Sequence, residues 1–464
     1  MENKKVDLLI LIIAILAAII WQVLYVRILL PWLLVLLLSI LLFLLFMLRV
    51  KWGLCLLAIS TPLAYEVQLA SFGGQKITGN TDDLFILLLL ISWLAKLINN
   101  KRTKIITTPL RAPLLTAAGV GVVSLVMAYL NLTFNQFLVS ALHLLKVMEY
   151  GLIFILVVNL VETKAEIKMY LKLMIGVGIL LAFIGIHQHV FNILYNPKAW
   201  KGMVTLGLDP AGNHNIAGAY FLIFLGLLAS LFISTKGAWL KTWYGFLFIL
   251  FIYPFMYTLS RSSYFAFVVT ILALAAIRYR GLFAVAILGL LLVPVILPKA
   301  IWERALTSFS TLYSGGALAS NSAGVRPQLW LASLNIWLGK PLLGYGFYTT
   351  QYISPLFFGA FNMGVPESMY FSLLIETGLV GLGVFAWLLI TVIRTVWQAA
   401  RNSADTFIQG CSVGLAGVLC GLCGHAIFGE TFYQWRLMGV LWFMIGLFTK
   451  YLILDRESGE AGRK

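Results

Sequence analysis

The chain has 464 residues, 61% of them hydrophobic and only 11% charged. A soluble domain carries about a quarter charged residues, so this composition, with a mean hydropathy of +0.96, excludes a soluble enzyme, a disordered scaffold and a nucleic-acid-binding protein as whole-chain readings. The formal charge of +16 reads instead as the Lys and Arg excess that keeps the loops of a polytopic protein on the cytoplasmic side.

A membrane-spanning helix needs roughly 20 apolar residues. Such runs predict helices, in chain order, near 7–26, 31–48, 52–70, 84–98, 113–130, 137–160 and 169–191. They continue near 215–233, 243–259, 263–277, 281–297, 369–391, 409–428 and 437–453. The run at 263–277 is short, and Thr61, Pro62 and Glu66 interrupt the one at 52–70. The expected fold is therefore all-α, a single integral membrane domain over residues 1–464 with about 12–14 transmembrane helices. Lys4 and Lys5 precede the first run with no small-residue cleavage site, which reads as a retained first span.

With the N-terminus inside, 22 of the 33 basic residues fall on the inner side, 10 on the outer, and Lys146 within a span. That bias predicts cytoplasmic N- and C-termini. It also puts the one long loop, 298–367, on the extracytoplasmic face, where long loops carry function.

Three of the arginines on that face stand out. Arg261 lies in Leu259-Ser260-Arg261-Ser262-Ser263, between two apolar runs; Arg304 opens the long loop; Arg326 begins Arg326-Pro327-Gln328-Leu329-Trp330. A charge in the membrane interior costs roughly 2.5–3.5 kcal/mol, and a guanidinium fork fits phosphate oxygens. The three are candidate diphosphate ligands, with interfacial anchoring as the alternative. Glu367, at the outer start of a span, is the candidate general base, or a charge that complements the helix N-terminus. His214, in Asp209-Pro210-Ala211-Gly212-Asn213-His214-Asn215, is the reserve base or a helix cap. Trp330, Trp337 and Tyr348 offer aromatic faces to a sugar.

Other polar groups read as structural. Asp82 and Asp83 cap the fourth span. His143, Lys146 and Glu149 share a helix face, as a lock in preference to a relay. Gly344-Tyr345-Gly346 lacks the third glycine of a dinucleotide fingerprint and reads as a turn. Neither His187-Gln188-His189 nor Cys420-x-x-Cys423 with His425 makes a convincing metal set, so no metal and no cofactor is expected. Gly410, Gly414, Gly417, Gly421 and Gly424 recur at helix-packing spacing.

The order of several short motifs resembles a known family. Asn213-His214-Asn215-Ile216-Ala217 opens a span, and Ser260-Arg261-Ser262 follows two spans later. Then come Arg304, Arg326-x-x-x-Trp330, Pro341-Leu-Leu-Gly344-x-Gly346 and Glu376-Thr377-Gly378-Leu379-x-Gly381. This order resembles the O-antigen ligase and O-antigen polymerase superfamily of bacterial polytopic membrane glycosyltransferases. The resemblance implies an enzyme of the bacterial inner membrane. It would move an oligo- or polysaccharide from a polyprenyl diphosphate carrier to an acceptor glycan or lipid A core, without a metal. It implies that Arg261 and Arg326 grip the diphosphate. The ligase branch usually carries a histidine where this chain has Glu367-Ser368-Met369-Tyr370, which tilts the expectation toward a polymerase. A transporter or flippase of the same lipid-linked glycan is the alternative; the long outer loop and the lack of two related halves favour the enzyme.

Overall fold

The computed structural model describes residues 41, 44, 46, 49–63, 66–72, 75–99, 105–191, 214–284, 286–288, 322–358 and 365–461. The predicted runs at 7–26 and, for the most part, 31–48 and 281–297 lie outside these residues. Among the described residues, eight helices are long and apolar enough to cross a membrane, and two shorter apolar helices accompany them. The all-α polytopic expectation holds.

In chain order the helices are α1 (Val50–Leu63), α2 (Thr81–Asn99), α3 (Arg111–Asn131), α4 (Phe134–Leu160), α5 (Lys164–Val190), α6 (His214–Ser234) and α7 (Ala238–Tyr257). They continue as α8 (Arg261–Ile277), α9 (Ser322–Leu338), α10 (Thr350–Phe358), α11 (Met369–Asn402), α12 (Thr406–His425) and α13 (Trp435–Ala461). The long loop thus contains two helices of its own, α9 and α10.

One predicted element needs correction. The run at 52–70 is no single span: α1 stops at Leu63, and an antiparallel hairpin follows, β1 (Glu66–Phe72) on β2 (Gln75–Asn80). Pro62 removes a backbone donor from the last helical turn. Beyond it, the alternating Glu66-Val67-Gln68-Leu69 suits a pleated strand better than a helix.

The innermost helices are α6, α12 and α13, which carry most of their residues buried. The glycine stripe of α12 explains how they approach. A Cβ on Gly414 would stand 2.7 Å from the Cα of Leu227 on α6, and one on Gly421 2.6 Å from the carbonyl of Ala266 on α8. Small residues let these backbones meet where lipid provides no hydrophobic drive for helix association.

The bundle has two chemically different ends. At one, the starts of α5 and α12 meet the C-terminal parts of α8 and α13. Lys164 bonds Asp455 at 2.7 Å, Lys168 pairs with Asp405, and Arg278 donates to Gln409 at 3.0 Å. Local caps finish the helices there: Thr163 accepts from the Glu166 N–H at 3.2 Å, and Asp405 from the Phe407 and Ile408 N–H groups at 3.0 and 3.1 Å. At the other end gather the starts of α6, α8, α11 and α13, the last residues of α12, and α9.

Candidate functional site

The hydroxyl-rich start of α8 is built by its own sequence. Ser260 is the N-cap and accepts from the Ser263 N–H at 3.3 Å. Its hydroxyl donates to the Asn215 side chain at 2.7 Å, which ties α8 to the first turn of α6. Ser263 presses on Gly218, where no side chain intervenes. The end of α12 closes the cluster. The His425 Nε2 lies 3.1 and 3.2 Å from the hydroxyls of Ser262 and Ser263, and its Nδ1 lies 2.8 Å from that of Thr431.

Above this polar floor stands the loop arginine. Arg326 donates through Nε and Nη2 to one oxygen of Glu367, at 3.0 and 2.8 Å, and reaches the Phe428 carbonyl at 3.4 Å. Its guanidinium also lies 5.8 Å from the centre of the Phe428 ring. Glu367 holds a left-handed backbone conformation, φ 52°, rare for a residue with a side chain. Such local strain persists only where surrounding contacts fix it, and the ion pair with Arg326 is one of them.

Phe428 links Arg326 to α8. Its ring meets Phe265 edge-on at 5.5 Å, and Phe265 stands one helical turn beyond Arg261 on α8. Trp330, one turn along α9 from Arg326, lies 6.2 Å from Phe428 and stacks on Phe371 at 5.6 Å. Its buried indole nitrogen has no hydrogen-bond partner.

The turn between α12 and α13 runs through the middle of the site. The Gly429 carbonyl accepts from the Met369 N–H at 3.3 Å, and Glu430 accepts from the Ser372 hydroxyl at 2.9 Å. Tyr433 donates to Glu376 at 2.9 Å, and the other oxygen of Glu376 takes the Thr350 hydroxyl at 2.7 Å. Burial pushes the Glu430 carboxyl above the usual range, and the nearby Glu367 charge adds to the effect while the Ser372 bond opposes it. Burial likewise raises the phenols of Tyr348 and Tyr433, so both remain neutral donors at ordinary pH.

Below this turn opens an apolar cavity of about 410 Å³ between α3, α4, α11 and α13. Phe432, Tyr433, Phe347 and Met369 line it together with Leu388, Ile155 and Ile445.

The sequence motifs that ran Pro341 to Gly346 and Glu376 to Gly381 turn out to be two halves of one clamp. Gly378 breaks α11 with φ 64°, and its Leu379 and Val380 N–H groups bond the carbonyls of Pro341 and Leu342 at 3.0 and 3.2 Å. In return the Tyr345 and Gly346 N–H groups bond the carbonyls of Ile375 and Glu376 at 2.8 and 3.0 Å. Any Cβ on Gly344 would lie 2.5 Å from the Glu376 backbone, so glycine is required there.

Of the residues singled out from sequence, Arg326, Glu367 and Trp330 come together, and Arg261 opens α8, one turn before the Phe265 that meets Phe428. His214 opens α6, next to the Asn215 that bonds Ser260. Trp337 and Tyr348 have other commitments. Trp337 donates to the Pro341 carbonyl at 3.0 Å, and Tyr348 stacks on His143 with ring centres 3.6 Å apart. Arg304 lies outside the described residues. The sequence reading gave no role at this site to His425, Glu430 or Thr431. The one signal for Glu430 and Thr431 was position, a polar stretch between the last two apolar runs; His425 lies inside the run at 409–428.

The polar residues read as structural form a separate network. Lys146 pairs with Asp83 and, at 2.8 Å, with Glu149, while Asp83 also accepts from the Asn80 N–H at 2.9 Å as a cap. Carboxylate oxygens of Asp82, Asp83 and Glu149 gather within 4.8 Å of one another, the only such group among the described residues. The Lys146 ammonium occupies the place a cation would take between Asp83 and Glu149, which matches a lock.

Compared with known protein families, residues 246–386 match the O-antigen ligase family model. No curated protein matches the chain. The matched stretch runs from α7 into α11. It holds Arg261, Arg326, Glu367 and Glu376, and it leaves His214, His425 and Glu430 outside.

Proposed function

We propose, from the premise that residues 246–386 carry the O-antigen ligase domain of the ligase and polymerase superfamily, that the chain transfers a glycan from a polyprenyl diphosphate carrier to an acceptor on the extracytoplasmic face. The observation that carries this reading is the juxtaposition of an arginine-bearing polar site with an apolar cavity that opens beside it. A polyprenyl diphosphate has the same two parts, an anionic head and an isoprenoid tail.

Arg326 and Arg261 would take the charge that develops on the diphosphate as the glycosidic bond breaks. Guanidiniums already fixed by a carboxylate, an aromatic ring and a helix start need little reorganisation when that charge appears. Two such groups supply the positive charge without a divalent cation. Glu367 or another carboxylate beside Arg326 would accept the proton of the acceptor hydroxyl, with His214 in reserve. Trp330, Trp337 and Tyr348 are the proposed sugar contacts.

The direct test is transfer by the purified protein in detergent, supplied with a polyprenyl-diphosphate-linked oligosaccharide and a glycan acceptor. Product formation supports the enzyme. A protein that moves the donor across liposomes and transfers nothing in detergent would be a flippase. Polymerase is preferred over ligase, because Glu367-Ser368-Met369-Tyr370 stands where the ligase branch usually carries histidine. A deletion strain decides between them: single repeat units mean a lost polymerase, and long chains stranded on the carrier mean a lost ligase.

A further inference from the structure

We infer that Glu430 is the catalytic base of this transfer, and that Glu367 acts as the counter-ion that holds Arg326 in place. The inference rests on the glycan-transfer reading above.

A general base needs a free lone pair, access to the acceptor and a place beside the leaving group. Glu376 fails the second condition, since it is 2% exposed and each of its oxygens is engaged by a hydroxyl. His425 fails it too, with both ring nitrogens against hydroxyls and 3% exposure. One oxygen of Glu367 takes two N–H groups of Arg326. Protonating that carboxyl would strip the arginine of its counter-charge in the same step that demands its help.

Glu430 meets all three conditions. It is half-buried, its one hydrogen bond comes from the neutral Ser372 hydroxyl, and among the described residues it has no ion pair. Its position is fixed on both sides. Two residues before it, Phe428 touches Arg326 through both carbonyl and ring; two residues after it, Phe432 lines the apolar cavity. Gly429 is bonded to the start of α11 and Thr431 to His425. The carboxylate therefore stands beside the proposed diphosphate site, on the short turn that carries the Phe428 contact with Arg326.

The step balances without a further reactant. The acceptor hydroxyl gives its proton to Glu430 as its oxygen bonds the anomeric carbon. The bond from that carbon to the phosphate oxygen breaks, and the electron pair leaves on the diphosphate beside Arg326 and Arg261. The proton then passes from Glu430 to water or to the released diphosphate.

The groups that act on Glu430 are Ser372 and Glu376 from α11, Glu367 before it, Tyr348 from the 344–349 turn, and Tyr433 beyond it in the chain. Arg326 reaches it through Glu367. These neighbours set opposite shifts. Removing the Ser372 bond disfavours the ionised carboxylate, so Ser372→Ala should move the acid limb of kcat/KM to higher pH. Removing the Glu367 charge favours it, so Glu367→Gln should move that limb to lower pH.

The experiment measures kcat, donor KM and the pH profile of transfer for the wild type, Glu430→Gln, Glu367→Gln and Ser372→Ala, each checked for folding by gel filtration. Glu430→Gln should lose at least about 100-fold in kcat with little change in donor KM, and Glu430→Asp should recover part of it. Glu367→Gln should chiefly raise donor KM. An active Glu430→Gln variant with the wild-type acid limb would overturn the inference. If Glu430→Gln does not fold, the two opposite limb shifts decide, and an acid limb that neither Ser372→Ala nor Glu367→Gln moves overturns it equally. A wild type that transfers nothing would sink the parent reading and this one with it, whereas an active wild type isolates the question of the base.

Discussion

The two ends of the helix bundle treat charge in opposite ways. At the basic end, Lys164 and Lys168 meet Asp455 and Asp405, and the helix starts are capped by neighbouring residues. Charge there is matched and half exposed. At the other end, Glu376 and Glu430 are held by hydroxyls rather than by cations, and the ion pair of Arg326 with Glu367 is only 15% and 31% exposed. An ordinary membrane protein gains nothing from half-buried carboxylates without counter-ions, since desolvation disfavours them. Their position beside Arg326 is what singles out this end for the tests that follow.

The contrast can be broken most severely at Arg326. Arg326→Ala should lower transfer by about 100- to 1,000-fold, the usual cost of one preorganised charge-stabilising donor, with folding unchanged by gel filtration. Lys at this position should recover little, because it lacks the fork that engages an oxyanion through two N–H groups. Wild-type activity in Arg326→Ala would remove the reason for treating this end as special.

The clamp beneath the site is the next test. Gly378→Ala places a side chain in a left-handed backbone position and against the Leu342 backbone. The strained backbone alone costs about 1–3 kcal/mol, so the variant should melt earlier and transfer poorly. A variant as stable as wild type would show that α11 tolerates a different break.

Topology is the third. Leu342 is 63% exposed at the same end as Arg326. Leu342→Cys should react with an impermeant thiol reagent in intact cells, over the background of the native cysteines. Labelling that requires an opened membrane would put the site on the cytoplasmic side.

The smallest effect belongs to the opposite end. Lys168 and Asp405 are 40% and 31% exposed, and such pairs contribute about 0–1 kcal/mol. Lys168→Ala should shift the melting temperature slightly and leave donor KM and kcat at wild-type values. A loss of transfer there would show that the two ends are coupled.

The apolar runs from 84–98 to 263–277 and the last three overrun the helices observed there by at most three residues, because hydropathy is a local property and a span must satisfy its own backbone within lipid. Even the family resemblance lay in local motifs, and two of those motifs prove to be the clamp that locks the loop onto α11. The hairpin at 66–80 was missed because an apolar run followed by alternating residues leaves helix and strand hard to separate by periodicity alone.

The site itself was legible only in pieces. Arg326 and Glu367 could each be singled out as a charge in a chain poor in charge, and the sequence by itself determined that they stand on one face. That they bond each other, 41 residues apart, is a tertiary fact. So is the placement of Glu430, 58 residues beyond the Ser372 that holds it. Local pattern records which residues face lipid and where helices begin. It does not record which helix ends meet, and the polar contacts of this site are made almost entirely between helix ends and the turns beside them.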